Sequence, residues 1–292
     1  MAVLKVATCQ FPVSSDIGRN ARYIRDHIRA AAKRRAHVVH FPEGALSGYP
    51  GLDFDTWDGF DWDLLGAETD GVRRLAKEKH VWVILGSSHQ LSPGHLPHNC
   101  LYAIDPRGRI VERYDKRFCT PRDLEYYTVG DHFSVVRIKG VTCGLLLCYD
   151  LRFPELFREY KKRGVECLFV SFYNARARGR NIHTTIMRPT LQARAATNGF
   201  RISAANPSGY YQSWPSAFIA PDGTIAASLR QHRTDLMVNT VDTRRDFYDP
   251  SAPFRDDAMK GILQSGPPVD DPRSQDRRCG PLPPRPERRN HA

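Results

Sequence analysis

The sequence predicts a layered α/β protein in which two β-sheets pack face to face and helices cover their outer sides. Strand-like and helix-like runs alternate along the 292 residues, and many of the strands are buried on one face. Tight-turn sequences join several neighbouring strands, which puts hairpins among them. With 41 % hydrophobic residues, the chain is long and apolar enough for one large core.

Taken in order, residues 4–10 read as a strand and 20–35 as an amphipathic helix with Ile24, Ile28 and its alanines inward. Residues 37–41 read as a short buried strand, followed by a Gly/Pro/Asp-rich loop from 44 to 59. Residues 70–80 look helical and 81–87 extended. Strands 99–105 and 109–114 turn at Asp105-Pro-Arg-Gly108, and 133–138 and 141–147 turn at Lys139-Gly140. The last of these ends on Cys148. Pro154 then suits a first helical position and Glu155 the positive end of the dipole; Leu156, Phe157 and Tyr160 give the apolar stripe, and Lys161-Lys-Arg163 with Gly164 closes the helix. A strand at 166–171, a helix at 185–198 and a strand at 200–205 follow. A hairpin of 216–220 and 224–229 turns at Pro221-Asp-Gly223, before a strand at 235–241. From Ser265 onward, Pro-rich and basic stretches replace the apolar pattern, so residues 1–264 are expected to form the domain and 265–292 a Pro/Arg-rich tail.

Composition narrows the function classes. The cysteines (Cys9, Cys100, Cys119, Cys143, Cys148, Cys167, Cys279) are odd in number and scattered, which fits neither a disulfide framework nor a zinc ribbon. His95, His98 and Cys100 lack the paired spacing of a zinc site, so no metal is expected. The N-terminus runs directly into a strand without a signal-peptide pattern, and no stretch is long and apolar enough to span a bilayer. A cytoplasmic protein without membrane association is expected. The net charge of +11 raises a basic scaffold or nucleic-acid-associated protein as the non-enzyme alternative. Much of that charge lies between Arg19 and Arg35, on the polar side of an amphipathic helix and without a nucleic-acid-binding motif, so it reads as a solvated face.

Three segments end a strand with a reactive side chain: His40-Phe-Pro-Glu43, Tyr114-Asp-Lys116 and Cys148. If the three strands are neighbours in one sheet, a carboxylate, an ammonium and a thiol meet at one edge, where α/β sheets place their sites. A thiol on a strand-to-helix elbow lies close to helix amides that favour thiolate and oxyanion alike. In that arrangement Glu43 is the candidate base for the thiol proton, Lys116 the candidate charge beside an oxyanion, and the Tyr149 N–H a candidate second donor.

The segments Ala7-Thr-Cys-Gln10, Phe41-Pro-Glu-Gly-Ala-Leu-Ser-Gly-Tyr-Pro50, Tyr114-Asp-Lys116, Leu147-Cys-Tyr-Asp-Leu-Arg-Phe-Pro-Glu155 and Ala193-Arg-Ala-Ala-Thr-Asn198 resemble the carbon–nitrogen hydrolase, or nitrilase, superfamily. The resemblance covers roughly residues 3 to 245. It implies a four-layer αββα sandwich, two mixed β-sheets flanked by helices, and hydrolysis of a non-peptide C–N bond by a triad of Glu43, Lys116 and Cys148 without metal or cofactor. It also implies a second loop glutamate after the lysine, matched to Glu125 with Asp123 close by, and a homo-oligomer, dimer or larger. The nucleophile segment is similar to the amidase branches, ω-amidases in particular, more than to nitrilases proper. A small linear amide or N-carbamoyl compound is therefore the expected substrate, and a nitrile the alternative. The loop after residue 171 departs from the ω-amidase pattern, and Arg176 or Arg178 in it is a candidate for binding an anionic substrate end. Asp115 stands where many members carry arginine.

Overall fold

The computed structural model describes residues 3–175, 179 and 181–275. β1 (Val3–Gln10) passes through α1 (Ile17–Lys33) to β2 (Val38–His40), and α2 (Trp62–Lys79) leads to β3 (Trp82–His89). β4 (His98–Ile104) and β5 (Ile110–Asp115) form one hairpin, and β6 (Val135–Ile138) and β7 (Val141–Leu147) the next. A 3-10 turn, Cys148–Arg152, separates β7 from α3 (Pro154–Lys162). β8 (Cys167–Ser171), α4 (Ile182–Asn198), β9 (Arg201–Ala205), the hairpin β10 (Ala217–Ile219) and β11 (Ile225–Ser228), and β12 (Asp235–Asp242) complete this body. A second compact unit starts at Ser251 and holds α5 (Ala252–Met259) and α6 (Pro272–Gln275). Among the described residues, no helix is long and apolar enough to cross a membrane.

Two helices start earlier than the apolar periodicity indicates, and in both an aspartate sets the start. Asp16 caps α1 by accepting the Arg19 N–H at 2.8 Å, and Asp61 caps α2 by accepting the Leu64 N–H at 2.8 Å. α2 absorbs Gly66 and Gly71 at a cost of about 1 kcal/mol each, offset by burial of Leu65, Val72, Leu75 and Ala76. The basic face of α1 is exposed at Arg19, Arg22, Arg29 and Lys33, while Arg25 turns to Glu68 of α2.

The strands form two six-stranded mixed sheets, ordered β12-β1-β2-β3-β4-β5 and β11-β10-β9-β8-β7-β6. Each has a parallel centre, β1-β2-β3 in the first and β7-β8-β9 in the second, flanked by antiparallel strands. The inner faces share one core, where Leu4, Val6, Val38, Ile84 and Leu101 meet Leu145, Phe169, Ile202 and Ala204. α1 and α2 pack Ile24, Ile28, Val72 and Leu75 into a second apolar cluster with Val39 and Val83, on the first sheet's other face. Leu156, Phe157, Met187 and Leu191 of α3 and α4 cover the second sheet. This is the αββα sandwich.

A polar chain crosses between the sheets. Thr8 and Ser203 hydroxyls lie 2.7 Å apart, Ser203 Oγ is 2.8 Å from His40 Nδ1, and His40 Nε2 is 2.9 Å from Ser171 Oγ. Ser171 in turn donates to the Phe41 carbonyl at 2.8 Å, so it accepts from His40, and the imidazole is the Nε2–H tautomer. Burial pulls His40 down to about 3, so it is neutral when folded. An unfolded histidine protonates below about pH 6.5, so this term stabilises fully above that pH and is lost as pH falls toward 3. We expect about 1.4 kcal/mol of stability lost per pH unit in that window, or about 2 kcal/mol between pH 6.5 and 5. Denaturant unfolding at pH 7 and 5 measures it: His40→Gln should flatten the slope by that amount, and an unchanged slope refutes the assignment.

Candidate active site

Glu43 follows β2 in a loop tied to the second sheet: its N–H donates to the Phe172 carbonyl at 3.2 Å. The loop can lie this close to β3 because residue 86 is glycine; a Cβ there would fall 2.0 Å from the Pro42 carbonyl oxygen. Lys116 leaves β5 with its N–H on the Asn99 carbonyl and its own carbonyl accepting from Gly130 N–H, at 2.9 and 2.8 Å. Gly130 is likewise required, since a Cβ would meet the Asp115 carbonyl oxygen at 2.3 Å. Cys148 opens the 3-10 turn after β7 with φ +38°, a conformation disfavoured for a side chain other than glycine.

These three residues line one cavity of about 190 Å3, with Tyr49, Asp123, Tyr149, Tyr173 and Asn174. They come from both sheets. Glu43 and Lys116 leave the first and Cys148 the second, and β3 and β4 lie between β2 and β5. The expectation of three adjacent strands in one sheet is thus corrected: the sandwich brings the groups together across its interface, which no local pattern encodes.

The ammonium of Lys116 is 1 % exposed and donates to Glu43 Oε1 at 2.9 Å, Asp123 Oδ2 at 2.9 Å and the Tyr49 hydroxyl at 3.2 Å. Tyr49 donates onward to Asp123 Oδ1 at 2.7 Å. One cation therefore serves two carboxylates, which differ in their other donors. Burial would raise Asp123, but Lys116, the Thr120 N–H and the Tyr49 hydroxyl hold it below the usual carboxylate range. Burial pushes Glu43 up against the pull of Lys116, and the negative charge of Asp123 adds to the push. Burial also works against the Lys116 ammonium, yet the acids around it keep its pKa above the ordinary lysine value. The Glu43 carboxylate thus favours taking up a proton beside a permanent cation.

Glu43 Oε1 is fixed by Lys116 and by Asn99 Nδ2 at 2.8 Å. Its other oxygen, Oε2, is buried and has no hydrogen-bond partner among the described residues. That atom is left with lone pairs that can accept a proton.

The sulfur differs from expectation in one respect. Burial pushes the Cys148 thiol up and Glu43 adds to it, overcoming Lys116 and a backbone N–H from Tyr173. The helix amides do not make a resting thiolate here; the thiol is protonated at neutral pH. Asn174 Nδ2 points at the sulfur from 3.8 Å. Its orientation is set by Trp214 Nε1, which donates to Asn174 Oδ1 at 3.1 Å.

The other expected residues divide. Tyr149 lines the cavity beside the sulfur. Glu125 is exposed on the 3-10 turn Asp123–Glu125, and Asp123 instead turns inward to the lysine. Arg176 and Arg178 lie outside the described residues. Asp115 is buried but turned to Arg113, whose Nε donates to it at 2.9 Å, and it does not line the cavity. Sequence reasoning missed Tyr49, Asn99 and Asn174, although Tyr49 sits in the Glu43 segment quoted above. It also missed His183, which burial and Arg152 keep uncharged at neutral pH, and two arginines, Arg122 and Arg152, that make part of the cavity lining basic.

A family model described as carbon-nitrogen hydrolase matches residues 5–246. The nitrilase homolog 2 of Dictyostelium discoideum is 27 % identical, over 88 % of this chain and 82 % of its own. An omega-amidase of Bos taurus is 27 % identical, over 80 % of this chain and 87 % of its own. A solved glutamate-to-leucine mutant of the amidase from Nesterenkonia sp. AN1 is similar with TM-score 0.76 and 21 % identity, covering 89 % of this chain and 96 % of that one. That structure shows covalent addition of the acetamide moiety of fluoroacetamide at its active site cysteine.

Proposed function

The chain belongs to the carbon-nitrogen hydrolase family, and from that premise we propose that it is a thiol-dependent amidohydrolase acting on a small linear amide or N-carbamoyl compound. The observation that carries the reading is the unpartnered Glu43 Oε2 in a cavity shared with a protonated thiol and a buried ammonium. Glu43 takes the Cys148 proton as the sulfur attacks the carbonyl carbon. The oxyanion forms beside Lys116 and the N–H of Tyr149. Glu43 returns the proton to the nitrogen, the C–N bond breaks, and ammonia or amine leaves a thioester. Water, deprotonated by Glu43, then hydrolyses the thioester; the acid departs and the thiol regains its proton.

Asp123 keeps Lys116 charged and leaves Glu43 the carboxylate that exchanges protons. The cavity volume, below that of drug-sized sites, suits a substrate of few atoms, and its basic side suits one with an anionic end. Intact-protein mass spectrometry after brief exposure to a panel of amides, carbamoyl compounds and nitriles tests the proposal. An acyl adduct on Cys148 with amine release from amides is expected. Turnover of nitriles alone, or of amides without adduct or dependence on Cys148, overturns it.

A further inference from the structure

Asp150 lies two residues beyond the nucleophile and is fully buried. Its Oδ2 accepts the Leu147 N–H at 3.0 Å and the Tyr114 hydroxyl at 2.8 Å, and its Oδ1 accepts the Phe118 N–H at 3.0 Å. Leu147 immediately precedes Cys148, whereas Tyr114 and Phe118 stand two residues before and two after Lys116. A single carboxylate therefore holds the backbone of the thiol-bearing turn and both flanks of the lysine, which belong to opposite sheets.

We propose that Asp150 is a positioning residue that sets the placement of the Cys148 thiol relative to the Lys116 ammonium. The proposal rests on the reading of Cys148 as nucleophile and adds a residue that touches no substrate. Two features support it. Cys148 holds its φ of +38° within a turn closed by the Asp150-to-Leu147 hydrogen bond, which spans that residue. The three donors to Asp150 are neutral, and burial pushes its carboxyl up to about 6. A buried anion with neutral donors, and only the nearby charge of Lys116 to favour it, is a costly way to stabilise a core that apolar side chains could fill, whereas two rigid arms need a multidentate acceptor. Tyr114 is fully buried with its hydroxyl on Asp150, so the clamp has a second, separately removable half.

The test uses the full-length protein with Tyr114→Phe and Asp150→Asn. Tyr114→Phe removes one hydroxyl and little volume; Asp150→Asn turns an N–H2 group toward one set of donors. Two readouts are taken: kcat and KM on an accepted amide, and the alkylation rate of Cys148 by iodoacetamide, located by peptide mapping. We expect kcat to fall roughly 10-fold in Tyr114→Phe and roughly 100-fold in Asp150→Asn, with KM within about 3-fold. Cys148 alkylation should slow in the same order while circular dichroism of both variants stays native. A lowered Tm with kcat and alkylation rate unchanged overturns the proposal and leaves Asp150 a structural residue. The alkylation readout needs no substrate, so it decides the clamp even if the protein turns over no amide, an outcome that instead counts against the proposed function.

Discussion

Cys148→Ala is expected to fold normally and to lose amide turnover by roughly 10^4-fold or more. The size of the loss follows from the chemistry: without sulfur no thioester forms, and Glu43 and Lys116 can offer only a polarised pocket to water. The substitution removes one atom at the edge of a cavity, so stability should stay within about 1 kcal/mol of the parent. Ammonia release and intact mass on the same sample check both halves. The acyl adduct should vanish with the activity. An adduct that persists on Cys119, the neighbouring half-buried thiol, or activity near the parent level, refutes the assignment of the nucleophile.

Lys116→Met should do more damage to the fold than to the volume of the site. The parent ammonium donates to Glu43 and Asp123, whose side chains are 1 % and 8 % exposed. Methionine fills most of the space and leaves two buried carboxylates facing each other without a countercharge. Breaking a buried ion pair from one side costs about 3–5 kcal/mol. The sign with pH is definite. In the variant both acids are pushed up, so the penalty is greatest where they must ionise and shrinks as pH falls through their raised folded values. Denaturant unfolding at pH 7.5 and pH 5 should show the deficit narrowing toward pH 5, with hydrolysis undetectable at either. A deficit that does not depend on pH would mean that packing, not charge, is what Lys116 supplies.

The candidates Glu43, Lys116 and Cys148 were legible because each follows a strand closely, Glu43 between Pro42 and Gly44, and Cys148 ahead of the helix start at Pro154. The alternation of strands and helices likewise made two packed sheets readable. Where the reading failed, the deciding contact is either distant in sequence or made by a single local turn or cap. Asp123 and Glu125 are two positions apart, and only the 3-10 turn between them decides which acid faces Lys116. Asn174 aims at the sulfur because Trp214, forty residues later, fixes its amide. The thiol has a raised pKa because it is desolvated and faces Glu43, so a local dipole argument missed the larger desolvation. The helix starts at Ile17 and Trp62 depended on single capping aspartates, which an apolar-period count does not weigh.

The pairing of β1 with β12 joins Val3 to Asp242, nearly the full span of the larger unit. During synthesis the first sheet lacks that edge until the last of these residues has been made, long after Cys148 has emerged. Between the making of Cys148 and that of Asp242, a nascent chain thus carries its thiol while β1 still lacks its antiparallel partner. A product cut short before Asp235 would keep Glu43, Lys116 and Cys148 yet expose β1 as an unpaired edge, a template for pairing with another chain.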